Sequence, residues 1–160
     1  MSATPLYVHG TCVALGTRAV LLRGPSGAGK SDLAFRLVGE DPGGKTRLVA
    51  DDQVALRKSG AGLLATAPAA LAGLVELRGL GLVELPSTGE TPLALIVDLV
   101  ARVSVPRIAE PRYETVLGIR LPVIALHAFD GTATAKLRLA LETLPDTGFP
   151  KEDGRFGCRG

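Results

Sequence analysis

The sequence predicts an α/β fold, a mixed β-sheet with flanking helices built around a phosphate-binding loop. Three observations predict it. The run Gly24-Pro25-Ser26-Gly27-Ala28-Gly29-Lys30-Ser31 completes GxxxxGK[ST], a pattern that takes a strand before it and a helix after it. Hydrophobic residues make up 46% of the 160-residue chain but aromatics only 4%, so the core is aliphatic and suits helices packed on a buried sheet. Short β-rich runs alternate with Gly- and Pro-rich turns along most of the chain.

Residues 6–15 and 19–22 are β-rich and flank Gly16-Thr17, which predicts a hairpin whose second strand runs into the glycine loop. After Lys30, the apolar residues Leu33, Ala34, Leu37 and Val38 recur at helical spacing, and the pattern ends at Gly39 before the turn residues Asp41-Pro42-Gly43-Gly44. Leu48-Val49-Ala50 reads as a buried strand ending in Asp51-Asp52, followed by strands at 54–57 and 63–66 across a Gly-rich turn. Residues 68–74 are Ala/Leu-rich and begin with Pro68, which predicts a short helix. Residues 75–81 then read as a strand or turn. Residues 93–100 are the strongest strand by composition, and 102–112, with Pro106 and Pro111, form a loop. A strand at 121–126 leads through Asp130-Gly131-Thr132, a helix cap, into a closing helix that ends at Leu144. One domain over 1–144 and a mobile tail over 145–160 complete the expectation.

Several function classes lose support on composition. The 18 basic and 16 acidic residues are interspersed and give +2, with no basic block to follow a nucleic-acid backbone. No apolar run approaches a membrane span and no signal peptide is visible, so a cytoplasmic protein is expected. Cys12 and Cys158 fit neither a disulfide framework nor a zinc spacing, and they read as one buried and one free thiol.

In a loop of this kind the glycines let successive amides, with the positive end of the helix, surround phosphate oxygens. Lys30 then reaches the β- and γ-phosphates and Ser31 ligates Mg²⁺. Asp51 and Asp52 fall at a strand end beside that loop, where one carboxylate can serve the metal and the other accept a hydroxyl proton. Taken alone, His9 is a structural residue of a strand, and Glu76 and Arg78 alternate with apolar neighbours as the polar face of a strand does.

His9-Gly10, the loop at 24–31, Leu48-Val49-Ala50-Asp51-Asp52 and Val75-Glu76-Leu77-Arg78-Gly79-Leu80-Gly81-Leu82 together resemble the HPr kinase/phosphorylase family, whose signature reads roughly LEIRGLGI. The likeness covers its catalytic domain, as in short proteobacterial forms. It implies a fold similar to the nucleotide-binding core of phosphoenolpyruvate carboxykinase. It also implies a serine kinase using ATP and Mg²⁺ on HPr, a small phosphocarrier of the sugar phosphotransferase system, with phosphorolysis as the reverse reaction in many members. Longer members are hexamers, so a homo-oligomer is expected. By position, His9, Lys30, Asp51 and Arg107 resemble the catalytic residues, Asp51 being the base. Ser31 and Glu76 resemble the Mg²⁺ ligands, Asp52 is expected as a third metal ligand, and Arg112 is the alternative to Arg107. Two departures stand out. Asp32 replaces a common Glu, and Val123 replaces a Lys linked to phosphorolysis, which predicts a better kinase than phosphorylase. The rival readings are a small-molecule kinase on the same loop, which would need a basic lid not evident here, and an ATP-binding regulatory module, which would not need the Asp51 carboxylate.

Overall fold

The structure is a computed structural model that describes residues 4–41 and 43–157. Eleven strands and two helices are named within it. The first stretch is two strands rather than one, β1 (Leu6–His9) and β2 (Thr11–Leu15). Gly10 is the reason for the break. A Cβ there would lie 2.8 Å from the Leu22 carbonyl oxygen and 2.9 Å from Leu21 Cδ1, so the chain crosses closely and β1 departs to another partner. β2 forms the expected hairpin with β3 (Arg18–Arg23) through Gly16, whose φ of 68° suits glycine. α1 (Lys30–Gly39) follows the glycine loop.

β4 (Thr46–Ala50) returns to pair with β2. β5 (Gln53–Ser59) and β6 (Gly62–Thr66) form a hairpin, and β1 adds to the outer edge of β5. The expected helix at 68–74 is a single 3-10 turn at Ala69–Leu71. Gly73, at φ 78°, ends it before another turn can form. β7 (Leu74–Leu77) and β8 (Gly81–Glu84) make a separate two-stranded hairpin. That hairpin is fastened to β4 because Leu48 N donates to the Pro86 carbonyl and Thr88 N to that of Leu48.

β9 (Thr91–Leu99) is the central strand. Its first half pairs antiparallel with β6, and its second half pairs parallel with β11 (Ile119–Leu126) on the same edge. β3 runs parallel along the other edge. This fork curls the nine-stranded sheet. β10 (Tyr113–Val116), which the composition did not reveal, pairs with β11 through a tight turn in which Leu117 and Gly118 both have positive φ. The expected loop at 102–112 contains one 3-10 turn, Arg102–Ser104.

Alternating residues of the central strands feed two separate cores, as a period of two requires. Val13, Val20, Leu22, Leu95 and Val97 face Leu33 and Leu37 of α1 and Leu137, Leu141 and Leu144 of α2 (Ala133–Thr147). Cys12, Ala14, Leu21, Ile96, Val54, Leu56 and Leu63 form the other core. Both helices therefore lie on one face, and the second face is closed by the curl of the strands, not by a flanking helix.

Two sequence expectations at the C-terminus are corrected. α2 runs to Thr147 with Pro145 inside it. Proline cannot donate to the Leu141 carbonyl four residues earlier, and Arg18 Nη2 takes that oxygen instead at 3.0 Å. The tail expected from 145 is docked as well. Phe149 and Phe156 pack against the helix-side core, and Phe149 meets Tyr113 edge to face at 5.2 Å. Pro42 and Cys158 lie outside the described residues.

Candidate active site

The strand before the glycine loop and the helix after it are in place, β3 ending at Arg23 and α1 beginning at Lys30. A Cβ on Gly24 would lie 2.8 Å from Ala28 Cβ and 3.1 Å from the Leu99 carbonyl oxygen. Gly29, at φ 96°, would collide with Ala128. The loop is thus a cradle that side chains would fill. Within it, Ala28 N donates to the Pro25 carbonyl at 3.0 Å, and Lys30 Nζ donates to those of Gly24 and Pro25 at 2.6 and 3.1 Å. Pro25, Ser26 and Gly27 form its outer bend, with Gly27 at φ 87°. Gly29 precedes α1 with no side-chain cap, so the first-turn amides and the positive helix end suit an anionic ligand.

Asp51, just past the end of β4, is where the separate motifs meet. Ser31 Oγ lies 2.9 and 3.1 Å from its two carboxylate oxygens. Thr11 of β2 donates to Oδ1 at 2.8 Å, and the backbone N–H of Glu76 in β7 approaches Oδ2 at 3.4 Å. Ser31, Asp51 and Glu76 are thus brought together from three elements 20 and 25 residues apart in sequence. Asp52 is placed differently. Its φ of 66° turns it out of the strand direction, its side chain is 78% exposed, and His9 Nδ1 lies 3.4 Å from its carboxylate. The two aspartates form two half-sites, one behind Ser31 and one open beside His9.

Arg107 lies exposed in the loop after β9 and makes no ion pair among the described residues. Arg112 bonds to Asp98 Oδ2 at 3.0 Å. Asp98 also holds Arg23, the residue before the glycine loop, at 2.8 Å, and Arg23 reaches Glu114 at 2.6 Å. This network at the base of the loop escaped the sequence reading. Its one legible trace is Asp98, a single carboxylate in the most apolar strand. Thr11 and the loop after β11, which lies against Gly29, were missed as well.

Val123 requires a correction. It stands in β11 opposite Ile96, 1% exposed, inside the second core. Buried in that core, its side chain says nothing about how phosphate is held. Asp32, the other departure, forms an ion pair with Arg36 one turn later at 3.0 Å. Burial pushes the Cys12 thiol up, in keeping with an inert core residue.

Ser31 and Asp51 present hard oxygens here, and Glu76, whose backbone N–H approaches Asp51, carries a carboxylate of the same kind. They fit a Mg²⁺ held by few protein ligands and completed by phosphate and water. Among the described residues no three His, Cys, Asp or Glu converge on a self-sufficient metal site. An open cavity of about 420 Å³, lined by Arg18, Asp41, Lys45 and Arg138, lies at the other end of α1 and includes none of these groups. No helix among the described residues is long and apolar enough to cross a membrane.

Comparison with known proteins bears on this arrangement. The family described as HPr Serine kinase C-terminal domain matches residues 2–138. The HPr kinase/phosphorylase of Leptothrix cholodnii is 38% identical over 135 residues, covering 75% of this chain and 40% of that protein. That of Bordetella pertussis is 41% identical over 101 residues, 58% of this chain and 32% of the relative. That of Exiguobacterium sibiricum is 41% identical over 78 residues, 48% and 24% respectively. The chain thus spans a quarter to two fifths of the length of these relatives. Among solved structures, the Hpr(Ser) kinase/phosphatase from Coxiella burnetii superposes with a TM-score of 0.73 at 23% identity, covering 83% of this chain and 94% of that one. That likeness supports the same mixed α/β architecture, with a curled sheet and few helices.

Proposed function

The chain belongs to the HPr serine kinase C-terminal domain family, and from that premise we propose that it transfers a phosphoryl group from ATP to a serine of an HPr-type phosphocarrier. The observation that carries the proposal is the convergence of Ser31 and the Glu76 backbone on one carboxylate, Asp51, beside the glycine loop. A bound Mg²⁺–ATP would supply the transferable group and offset its charge. Loop amides and Lys30 would hold the phosphates, and Ser31 and Glu76 would offer oxygens to the cation.

For the two aspartates the geometry favours a division of labour opposite to the one the resemblance implies. Asp51 already accepts hydrogen bonds from Thr11 and Ser31, which suits a carboxylate that orients the metal-binding serine. Asp52 is open to an incoming protein hydroxyl and stands beside His9, so it suits the base, with His9 orienting it. Arg107, exposed and without an ion-pair partner among the described residues, would neutralise the transferring phosphate. With Val123 in the core, nothing about that position argues against phosphorolysis. The reverse reaction, in which the base returns its proton, belongs to the same proposal.

The experiment is to incubate the chain with labelled ATP, Mg²⁺ and HPr-type carriers and to follow label on serine. Lys30→Ala should abolish transfer with the fold intact. Asp52→Asn should cut the rate by about 10²-fold or more at saturating Mg²⁺, whereas Asp51→Asn should raise the Mg²⁺ requirement. Label that reaches no carrier would sink the kinase reading, and interchanged phenotypes of the two Asn variants would restore Asp51 as the base.

A further inference from the structure

The loop after β11 lies directly on the phosphate loop. A Cβ on Gly29 would come within 2.7 Å of Ala128 Cβ and 2.9 Å of Phe129 Cζ, so the Phe129 ring contacts the residue that opens α1. Although it is a large apolar side chain, Phe129 is 55% exposed. The loop that carries it is fastened on every side. His127 Nδ1 donates to the Val100 carbonyl at 2.9 Å. Arg36 of α1 donates to the Ala128 carbonyl. The Asp130 carboxylate takes the Arg102 guanidinium through two nitrogens, at 2.6 and 2.7 Å. The His127 ring meets Phe129 edge to face, with centroids 5.8 Å apart and planes at 71°.

We propose that Phe129, braced by His127, is the platform on which the base of the bound nucleotide stacks. The inference rests on the nucleotide reading above and deepens it, because the glycine loop takes only phosphates and names no group for the base. A nucleotide anchored by its phosphates at Gly29, Lys30 and Ser31 carries its base on a short ribose tether. An exposed aromatic ring in contact with Gly29 is within that reach. Its neighbours keep it rigid, so little side-chain freedom is lost on stacking. Aromatic stacking is tolerant of base identity, since every base offers a π-face. The site should therefore discriminate weakly between ATP and GTP.

The test measures equilibrium binding of Mg²⁺–ATP, Mg²⁺–GTP and inorganic tripolyphosphate to the whole chain by calorimetry, for wild type, Phe129→Ala and Phe129→Tyr. Phe129→Ala should weaken both nucleotides about ten-fold or more and leave tripolyphosphate unchanged, and Phe129→Tyr should retain wild-type affinity. Equal losses for nucleotide and tripolyphosphate would mean that the ring only supports Gly29, and no loss for either would mean that the base lies elsewhere. Both results overturn the proposal. A wild-type chain that binds tripolyphosphate but gains nothing from the nucleoside would overturn it too, while leaving the phosphate loop intact. A chain that binds none of the three would overturn the nucleotide reading itself, and this inference with it.

Discussion

Adjacent residues in this chain meet different surroundings because one backbone angle changes between them. Asp51 continues from β4 and points at Ser31, while Asp52, at φ 66°, is turned into solvent next to His9. Asparagine and aspartate tolerate this left-handed conformation better than most residues, so its cost is small. Val123 teaches the same lesson in reverse. A lysine placed there would bury an ammonium between Ile96 and Leu121, in a core made of apolar side chains. Holding that lysine neutral near pH 7 costs roughly 3 to 5 kcal/mol. Val123→Lys should therefore lower the denaturant midpoint sharply and should not raise phosphorolysis in whatever protein remains folded. An unchanged midpoint would show that β11 can turn this position outward.

At the scale of elements, the segment after α2 supports the loop that carries Arg107. Phe149 meets Tyr113 at the start of β10 edge to face, and a Cβ on Gly154 would lie 3.2 Å from Ile108 Cδ1, next to Arg107. Phe149 and Phe156 are half-buried, and each is worth about 1 to 2 kcal/mol of apolar burial. Ending the chain after Thr147 should then cost about 2 to 4 kcal/mol in urea unfolding, while the glycine loop, whose hydrogen bonds run within itself and to Asp51, keeps its phosphate affinity. Equal stability of the shortened chain would mean that residues 148–157 are only draped on the surface.

Over the whole molecule, three carboxylates at or near the surface are held below the usual carboxylate range, two of them by arginines 33 and 28 residues away in sequence. The Thr46 hydroxyl does this to Asp41, the Arg57 guanidinium to Glu90 and the Arg102 guanidinium to Asp130. A carboxyl depressed in the folded state contributes stability that is complete above its unfolded pKa and is lost as pH falls through the folded one. Stability should accordingly be level from neutral pH down to about pH 5 and decline below about pH 4. Asp130→Asn should make the decline shallower, because one of the linked protons is removed. A loss of stability that begins near pH 6 would show that these carboxylates do not set the acid limb.

What the sequence determined by itself is what short-range chemistry dictates. The glycine loop, the helix after it and its stop at Gly39, the hairpin turn at Gly16 and the run of β9 all follow from spacing, propensity and turn residues, and the structure has each where it was read. The residues of the candidate site were legible because they lie in contiguous motifs. Their partnerships were not. That Gly10 divides the first stretch depends on the Leu22 carbonyl passing 2.8 Å from where its Cβ would be, and that β6 and β11 share one edge of β9 depends on the curl of the sheet. The division between Asp51 and Asp52, the burial of Val123 and the closeness of Phe129 to Gly29 were likewise decided by packing between segments 20 to 100 residues apart. Local propensity acts over a few residues, whereas side-chain burial is set by whichever distant surface arrives, and no spacing within one motif carries that information.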